Sequence, residues 1–199
     1  MPIGLTVPQM PGMRRIDAER RARAIVLAFR PEIWDHPQSF PSAEFFEFHC
    51  VERYKLNTGT ADLPFGIEGV TRPNGCIRIA ASVYDDMLDD LTGRSRFTPI
   101  HEAVHGIVHL PTLRRLQVEL VEGASPNPRL YRREELPSFA DPEWQANRIA
   151  GAMLMPVAAV QAVVARYGRD IRAIMDTFKV SHAAAETRLS QLDQLGWLS

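Results

Sequence analysis

Between Thr98 and Pro111 the chain reads Thr98-Pro99-Ile100-His101-Glu102-Ala103-Val104-His105-Gly106-Ile107-Val108-His109-Leu110-Pro111. The HExxH at its centre constrains the protein more than any other stretch. On an α-helix, residues four apart project from one face a turn apart, so His101 and His105 can offer two imidazole nitrogens to one tetrahedral ion. Glu102 follows the first histidine directly, which places its carboxylate beside the ion, where it can take a proton from water instead of binding metal. This is the chemistry of a zinc hydrolase. The competing reading is a half-buried helix with two unliganded histidines. It is weakened by Ile100, Val104, Ile107 and Val108, which recur at helical spacing. Thr98 as N-cap and Pro99 at the first helical position predict where this helix starts, and Pro111 predicts its stop after Leu110.

At 199 residues, with 45% hydrophobic and 24% charged residues, the chain has the makings of one ordinary compact domain. Its formal charge of −1 supplies no global attraction to nucleic acid or to an anionic membrane, so no direct nucleic-acid binding is expected. Cys50 and Cys76 lie outside any CxxC spacing and read as reduced, buried thiols, which suits a cytoplasmic protein. Residues 1–13 carry Pro and Gly where an export signal needs an unbroken apolar core, and read as a disordered arm. The uncharged stretch from Ile149 to Ala165 is Ala-rich, contains Gly151, Pro156 and Gln161, and is too short for a membrane span; two packed helices explain it. One domain over 14–199 is therefore expected, with N-terminal helices over 14–64, a sheet and the metal site over 65–156, and C-terminal helices over 157–199.

Periodicity fills in this outline. Ile16 to Phe29 reads as a charged amphipathic helix ended by Pro31, and Ser42 to Tyr54 as a second. Gly66 to Thr71 and Cys76 to Ala81 are strand-like runs joined by the turn-rich Arg72-Pro73-Asn74-Gly75, which predicts a hairpin. A short helix over Val83 to Leu91 follows. From His109 to Pro142 the reading is mostly irregular, with a short strand around Leu116, Val118 and Leu120 and a mobile flap from Ser125 to Glu135. Pro156, Gly168 and the Val180-Ser181 step then divide a helical C-terminal region, which Gly196 closes.

A catalytic zinc needs three protein ligands, so HExxH requires a third donor. In Asp141-Pro142-Glu143-Trp144-Gln145-Ala146-Asn147, Asp141 can cap a helix that starts at Pro142, with Glu143 in its first turn. Glu143 then shares a face with Asn147, Ala150 and Leu154. A metal would be a suitable partner for an acid facing inward, but Glu143 could equally favour the positive helix end without binding anything. The residues alone leave both open.

The block Arg96-Phe97-Thr98-Pro99-Ile100-His101-Glu102-Ala103-Val104-His105, followed by Glu143-Trp144-Gln145-Ala146-Asn147-Arg148-Ile149-Ala150 and Leu154-Met155-Pro156, resembles the ImmA/IrrE-type zinc metallopeptidases. Phe178-Lys179-Val180-Ser181 and Arg188-Leu189 resemble that family's closing elements, so the likeness runs from about Phe65 to the C-terminus. Pro99 and Ala103-Val104 depart from the family's usual residues but leave the ligands intact, and the first 60 residues match only loosely. The resemblance implies an α+β, gluzincin-like metallopeptidase domain: a short β-sheet packed on a mostly helical body, with an HExxH active-site helix. It implies one zinc ion held by His101, His105 and Glu143, with Glu102 as catalytic base. It also implies a protein substrate, expected to be a helix-turn-helix transcriptional repressor cut to relieve repression in a stress response or mobile element.

Other residues are open to several roles. His109 continues the four-residue series, but eight residues from His101 it lies about 12 Å along a continuous helix, too far to share the same ion. A ligand role off a continuous helix, contact with a ligand, contact with substrate, and simple packing all remain for it. Asn147 could hydrogen-bond near the site, and Tyr131 and Arg96 are candidate oxyanion stabilisers. Two rival functions stand beside the protease. The segment Ile171 to Leu195 superficially resembles a helix-turn-helix, but Asp170, Asp176, Glu186 and Asp193 offset Arg172, Lys179 and Arg188, so no basic recognition face is evident. A metal-binding interaction protein that sequesters a regulator without cutting it is the other.

Overall fold

The computed structural model describes residues 6–89, 93–121 and 130–198. It is an α+β fold, a three-stranded sheet set on a mostly helical body. Strand β1 (Thr6–Pro8) precedes helix α1 (Arg15–Phe29), after which α2 (Ser42–Glu44), a π-helical turn (Phe45–His49) and α3 (Cys50–Tyr54) run on as one helical stretch. Strands β2 (Thr60–Ala61), β3 (Gly69–Thr71) and β4 (Ile77–Ala80) form the sheet in the order β2-β4-β3. β3 and β4 are the expected antiparallel hairpin, with Thr71 opposite Ile77. Asn74 Oδ1 accepts from the Cys76 amide at 3.0 Å within the connection. β2, which pairs in parallel with β4, is too short to leave a period in the sequence.

Helix α4 (Ala81–Leu88) leads towards α5 (Gly93–Val104), a π-helical turn (His105–His109) and α6 (Leu110–Val121). Here the prolines mislead. The helix starts at Gly93 and carries Pro99 in its interior, so Thr98 is no N-cap; its hydroxyl instead donates towards Glu68 Oε2 at 3.1 Å. Nor does Pro111 end the helix, which continues to Val121 and absorbs the strand expected around Leu116, Val118 and Leu120. The π-helical turn supplies the reason: the Leu110 amide reaches back to the His105 carbonyl, one residue further than in an α-helix, and this widening accommodates a proline that lacks its own donor. Of the expected flap, residues 125–129 lie outside the described residues, while Leu130–Arg132 form β5, which pairs antiparallel with β1.

The arm expected to be disordered over 1–13 is docked from Thr6 onwards. Besides the β1–β5 pairing, the Met10 amide donates to the Ala140 carbonyl at 3.0 Å and the Met13 amide to Phe139 at 2.8 Å. Met10 and Met13 are buried, so two apolar anchors among prolines supply what composition concealed. Helices α7 (Pro142–Leu154), α8 (Val157–Tyr167), α9 (Ile171–Phe178) and α10 (His182–Asp193) complete the body. The core runs through Ala18, Ala22, Ile100, Ala103, Val104, Ala146, Ile149, Ala150 and Met153, which lets α7 pack closely on both α1 and α5. Among the described residues no single helix is long and apolar enough to cross a membrane; α7 and α8 reach that length only as a pair bent by 56°. Both cysteines are free, Cys50 buried and Cys76 half-buried. Burial pushes the Cys50 thiol well above its ordinary range.

Candidate metal centre

α5 presents His101, the π-helical turn that continues it presents His105 one turn on, and the first turn of α7 brings Glu143 across to them. The packing of Ala103 and Val104 against Ala146, Ile149 and Ala150 sets how closely the helices approach. Asp141 caps α7, its Oδ1 accepting from the Glu143 amide at 3.0 Å, and Pro142 occupies the first helical position. His101 Nε2 lies 3.1 Å from His105 Nε2, and each lies 3.2 Å from a different Glu143 oxygen. These three residues form the one group among the described residues able to share an ion, with ligand atoms all within 4.8 Å of one another.

The spacing suits a metal. Bonds of about 2.0–2.1 Å from a tetrahedral zinc put neighbouring ligand atoms roughly 3.3 Å apart, close to the separations seen. Two ring nitrogens at 3.1 Å can share only one proton between them, and a carboxylate facing both adds further acceptor capacity. Such a set calls for a cation. Hydrogen bonding to His101 is the largest influence holding the Glu143 carboxyl far below the usual carboxylate range, against the opposing effect of burial, so it is ionised.

Behind the centre stands His109, buried at 3% exposure, with Nδ1 2.9 Å from His105 Nδ1 and Nε2 3.2 Å from Gln145 Oε1. Burial, followed by the neighbouring His105, lowers its pKa to about 3. It is a neutral imidazole at ordinary pH, with Nδ1 towards His105 and Nε2 turned into the protein.

Residues 89–190 match the IrrE N-terminal-like domain of the peptidase M78 family. The chain belongs to that family. A Mycobacterium tuberculosis transcriptional regulator shares the fold, with a TM-score of 0.60 at 15% identity over 89% of this chain and 47% of the regulator. The chain thus spans about half of that neighbour's length. No curated protein matches it in sequence.

In this M78 domain a cleft of about 790 Å³ opens beside the centre, lined by Gly69 of β3, Phe97, His101 and Glu102 of α5, Asn147 of α7 and Thr187 of α10, among others. Glu102 reaches it with its carboxylate held by Thr71, whose hydroxyl lies 2.7 Å from Oε2 and 2.9 Å from the Glu102 carbonyl. Gly69 is what makes room: a Cβ there would sit 2.6 Å from Glu102 Cγ. Asn147 is exposed and lines the cleft one turn beyond Glu143. Arg96 is not among the lining residues, and its Nη1 donates to the Phe40 carbonyl at 3.2 Å. The Tyr131 side chain lies outside the described residues, as do Glu122 and the Glu119 side chain. Thr71, Gly69 and Gln145 escaped sequence reading because none carries metal-binding chemistry; their significance depends on where the fold places them.

In the pair α9–α10 the arginine of the second helix is turned inward. Arg188 is 1% exposed, its Nε donating to the Met155 carbonyl at 2.8 Å and its Nη2 to Glu19 Oε2 at 2.9 Å. One face of α10 lines the cleft and another is buried, so the Arg188 charge is committed to the interior.

Proposed function

We propose that this M78 chain is a zinc-dependent endopeptidase, with His101, His105 and Glu143 holding the ion and Glu102 acting as base. The observation that carries the reading is the convergence of two imidazole nitrogens and an ionised carboxylate at 3.1–3.2 Å on the edge of an open cleft. Zinc bound there would supply a Lewis acid that polarises a peptide carbonyl and makes water more acidic. Glu102, kept out of the ligand set and oriented by Thr71, accepts a proton as water adds to the carbonyl carbon. It then returns a proton to the amine as the C–N bond breaks. Asn147, exposed in the cleft one turn beyond Glu143, is placed to contact substrate.

The substrate proposed is a helix-turn-helix transcriptional repressor, cut in a cytoplasmic stress response or mobile-element switch. This extends from the family resemblance, and the name of the structurally similar regulator is consistent with a regulatory setting. The rival, a metal-dependent binder that sequesters a regulator without cutting it, shares the centre but has no use for Glu102. One experiment separates them. Zinc content by elemental analysis is compared with cleavage of a helix-turn-helix repressor encoded beside this protein and of casein. The wild type is expected to hold one zinc and cut the repressor at one or a few bonds, and Glu102→Gln to keep its zinc while losing about 10²–10⁴-fold in rate. Undiminished cutting by Glu102→Gln defeats the base assignment, absence of zinc in the wild type defeats the centre, and indiscriminate casein digestion defeats the regulatory role.

A further inference from the structure

The centre continues into the protein as a chain of hydrogen bonds whose polarity can be read from its far end. Gln145 is 1% exposed, and its Nε2 lies 3.0 Å from the Pro11 carbonyl and 2.8 Å from the Phe139 carbonyl. Both partners are acceptors, so the amide has one possible orientation; flipped, its oxygen would face two other oxygens. Its Oε1 is therefore the atom that faces His109 Nε2 at 3.2 Å, and His109 must carry its proton there. A neutral imidazole has only one N–H, which leaves His109 Nδ1 as a lone pair. That lone pair lies 2.9 Å from His105 Nδ1, which in turn must be the N–H. The remaining nitrogen, His105 Nε2, is left unprotonated and aimed at the ligand cluster, the state a metal ligand requires.

We propose that Gln145 and His109 are positioning residues that fix the tautomer and ring orientation of His105 for metal binding, with the Pro11 and Phe139 carbonyls as the anchor of the relay. The inference rests on the centre proposed above. It gives the docked N-terminal segment a role: residue 11 contributes the oxygen that helps decide which way Gln145 faces. His101 has no such support. Among the described residues its Nδ1 is buried without a hydrogen-bond partner, and its ring lies against Phe97. The protein thus orients one histidine by a hydrogen-bonded relay and the other by packing.

Two measurements test the relay. In the zinc-loaded wild type labelled with ¹⁵N-histidine, NMR should find the proton on Nδ1 of His105 and on Nε2 of His109. A proton on Nδ1 of His109 overturns the proposal without recourse to any variant. Zinc affinity, measured by competition with a chelating dye, should fall about 10–100-fold in His109→Leu, the usual effect of losing a ligand's hydrogen-bond partner. In His109→Asn, whose side-chain oxygen can accept in place of Nδ1, it should stay within a few-fold of wild type. If His109 served only to fill space, the apolar Leu would bind zinc at least as well as Asn, and that result also overturns the relay. Failure of the wild type to bind zinc defeats the metal centre itself, whereas tight binding by wild type and His109→Leu alike defeats the relay alone.

Discussion

The two walls of the cleft are built on different principles. On the α7 side, Glu143, Gln145 and His109 are fixed by a helix cap, by buried side chains and by hydrogen bonds that end on main-chain carbonyls. On the β3 side, Glu102 is held by one threonine hydroxyl on an edge strand and by the absence of a side chain at Gly69, and Glu68 by a largely exposed arginine. A metal tolerates little error in ligand position, whereas a peptide substrate must enter, settle and leave. The rigid α7 wall carries Glu143 and the hydrogen bonds that reach His105, whereas the open β3 wall fixes only the proposed base, Glu102. Changes on the first should therefore act on metal affinity, and changes on the second on turnover with the metal kept.

The largest effect expected is from Glu143→Ala, which removes the ionised carboxylate of the proposed metal site from the rigid wall. Zinc affinity should drop on the order of 100-fold or more. The exposed Glu134 and Glu135 are the matched controls, and Ala at either should leave affinity within a few-fold. Equal losses at all three positions in a dye-competition titration would mean that Glu143 has no special claim on the metal.

Gly69→Ala tests the open wall. The added Cβ must push the Glu102 side chain aside, and a displacement of about 1 Å in a catalytic group can cost on the order of 100-fold in rate. We expect kcat/KM to fall 10–100-fold, with zinc content and melting temperature little changed. A variant that loses zinc instead would show that the two walls are not separable.

The same division explains what could be read from sequence. His101, Glu102 and His105 sit on one helix, where spacing alone places them on a face. Glu143 needed a cap and a proline to announce its helix, and even then its role stayed open until a family resemblance was considered. Gln145 is two residues further along but looks like any polar helical residue; its value comes from the Pro11 carbonyl, 134 positions away. The helix boundaries failed for a related reason. Pro99 lies inside α-helical α5, where a proline costs one hydrogen bond without ending the helix, whereas Pro111 follows a π-turn whose Gly106 packs against Leu56 and Ile77. A Cβ at Gly106 would lie 2.8 Å from Leu56 Cδ1, so the turn sits directly on the side chains beneath it.

The rigid wall also has a pH signature. His109 in the unfolded chain takes a proton near its ordinary value of 6.5, but the folded protein resists one until about pH 3. The unfolded state therefore binds more protons between those values. The stability His109 contributes is complete above pH 6.5 and declines as pH falls through that window, with a limiting slope of about 1.4 kcal/mol per pH unit. Urea denaturation of the metal-free protein between neutral pH and pH 4.5 should show the wild type losing stability faster than His109→Asn. Parallel profiles would mean that His109 does not resist protonation.

The smallest effect should come from Arg94 at the rim of the open wall. Its Nε lies 2.7 Å from Glu68 Oε1 and 2.8 Å from Oε2, but the arginine side chain is 76% exposed and the pair is screened by solvent. Thr98 Oγ1 also lies 3.1 Å from Glu68 Oε2, so the carboxylate keeps a hydrogen-bond partner when the arginine is gone. An exposed pair of this kind is worth about 1 kcal/mol at most, which corresponds to less than about a fivefold change. Arg94→Ala should shift KM by no more than that and leave kcat and zinc content unchanged, and added salt should shrink the difference further. A loss as large as that expected for Gly69→Ala would move Arg94 from rim to machinery, and would mean that the open wall is organised by charge as tightly as the opposite wall is by buried hydrogen bonds.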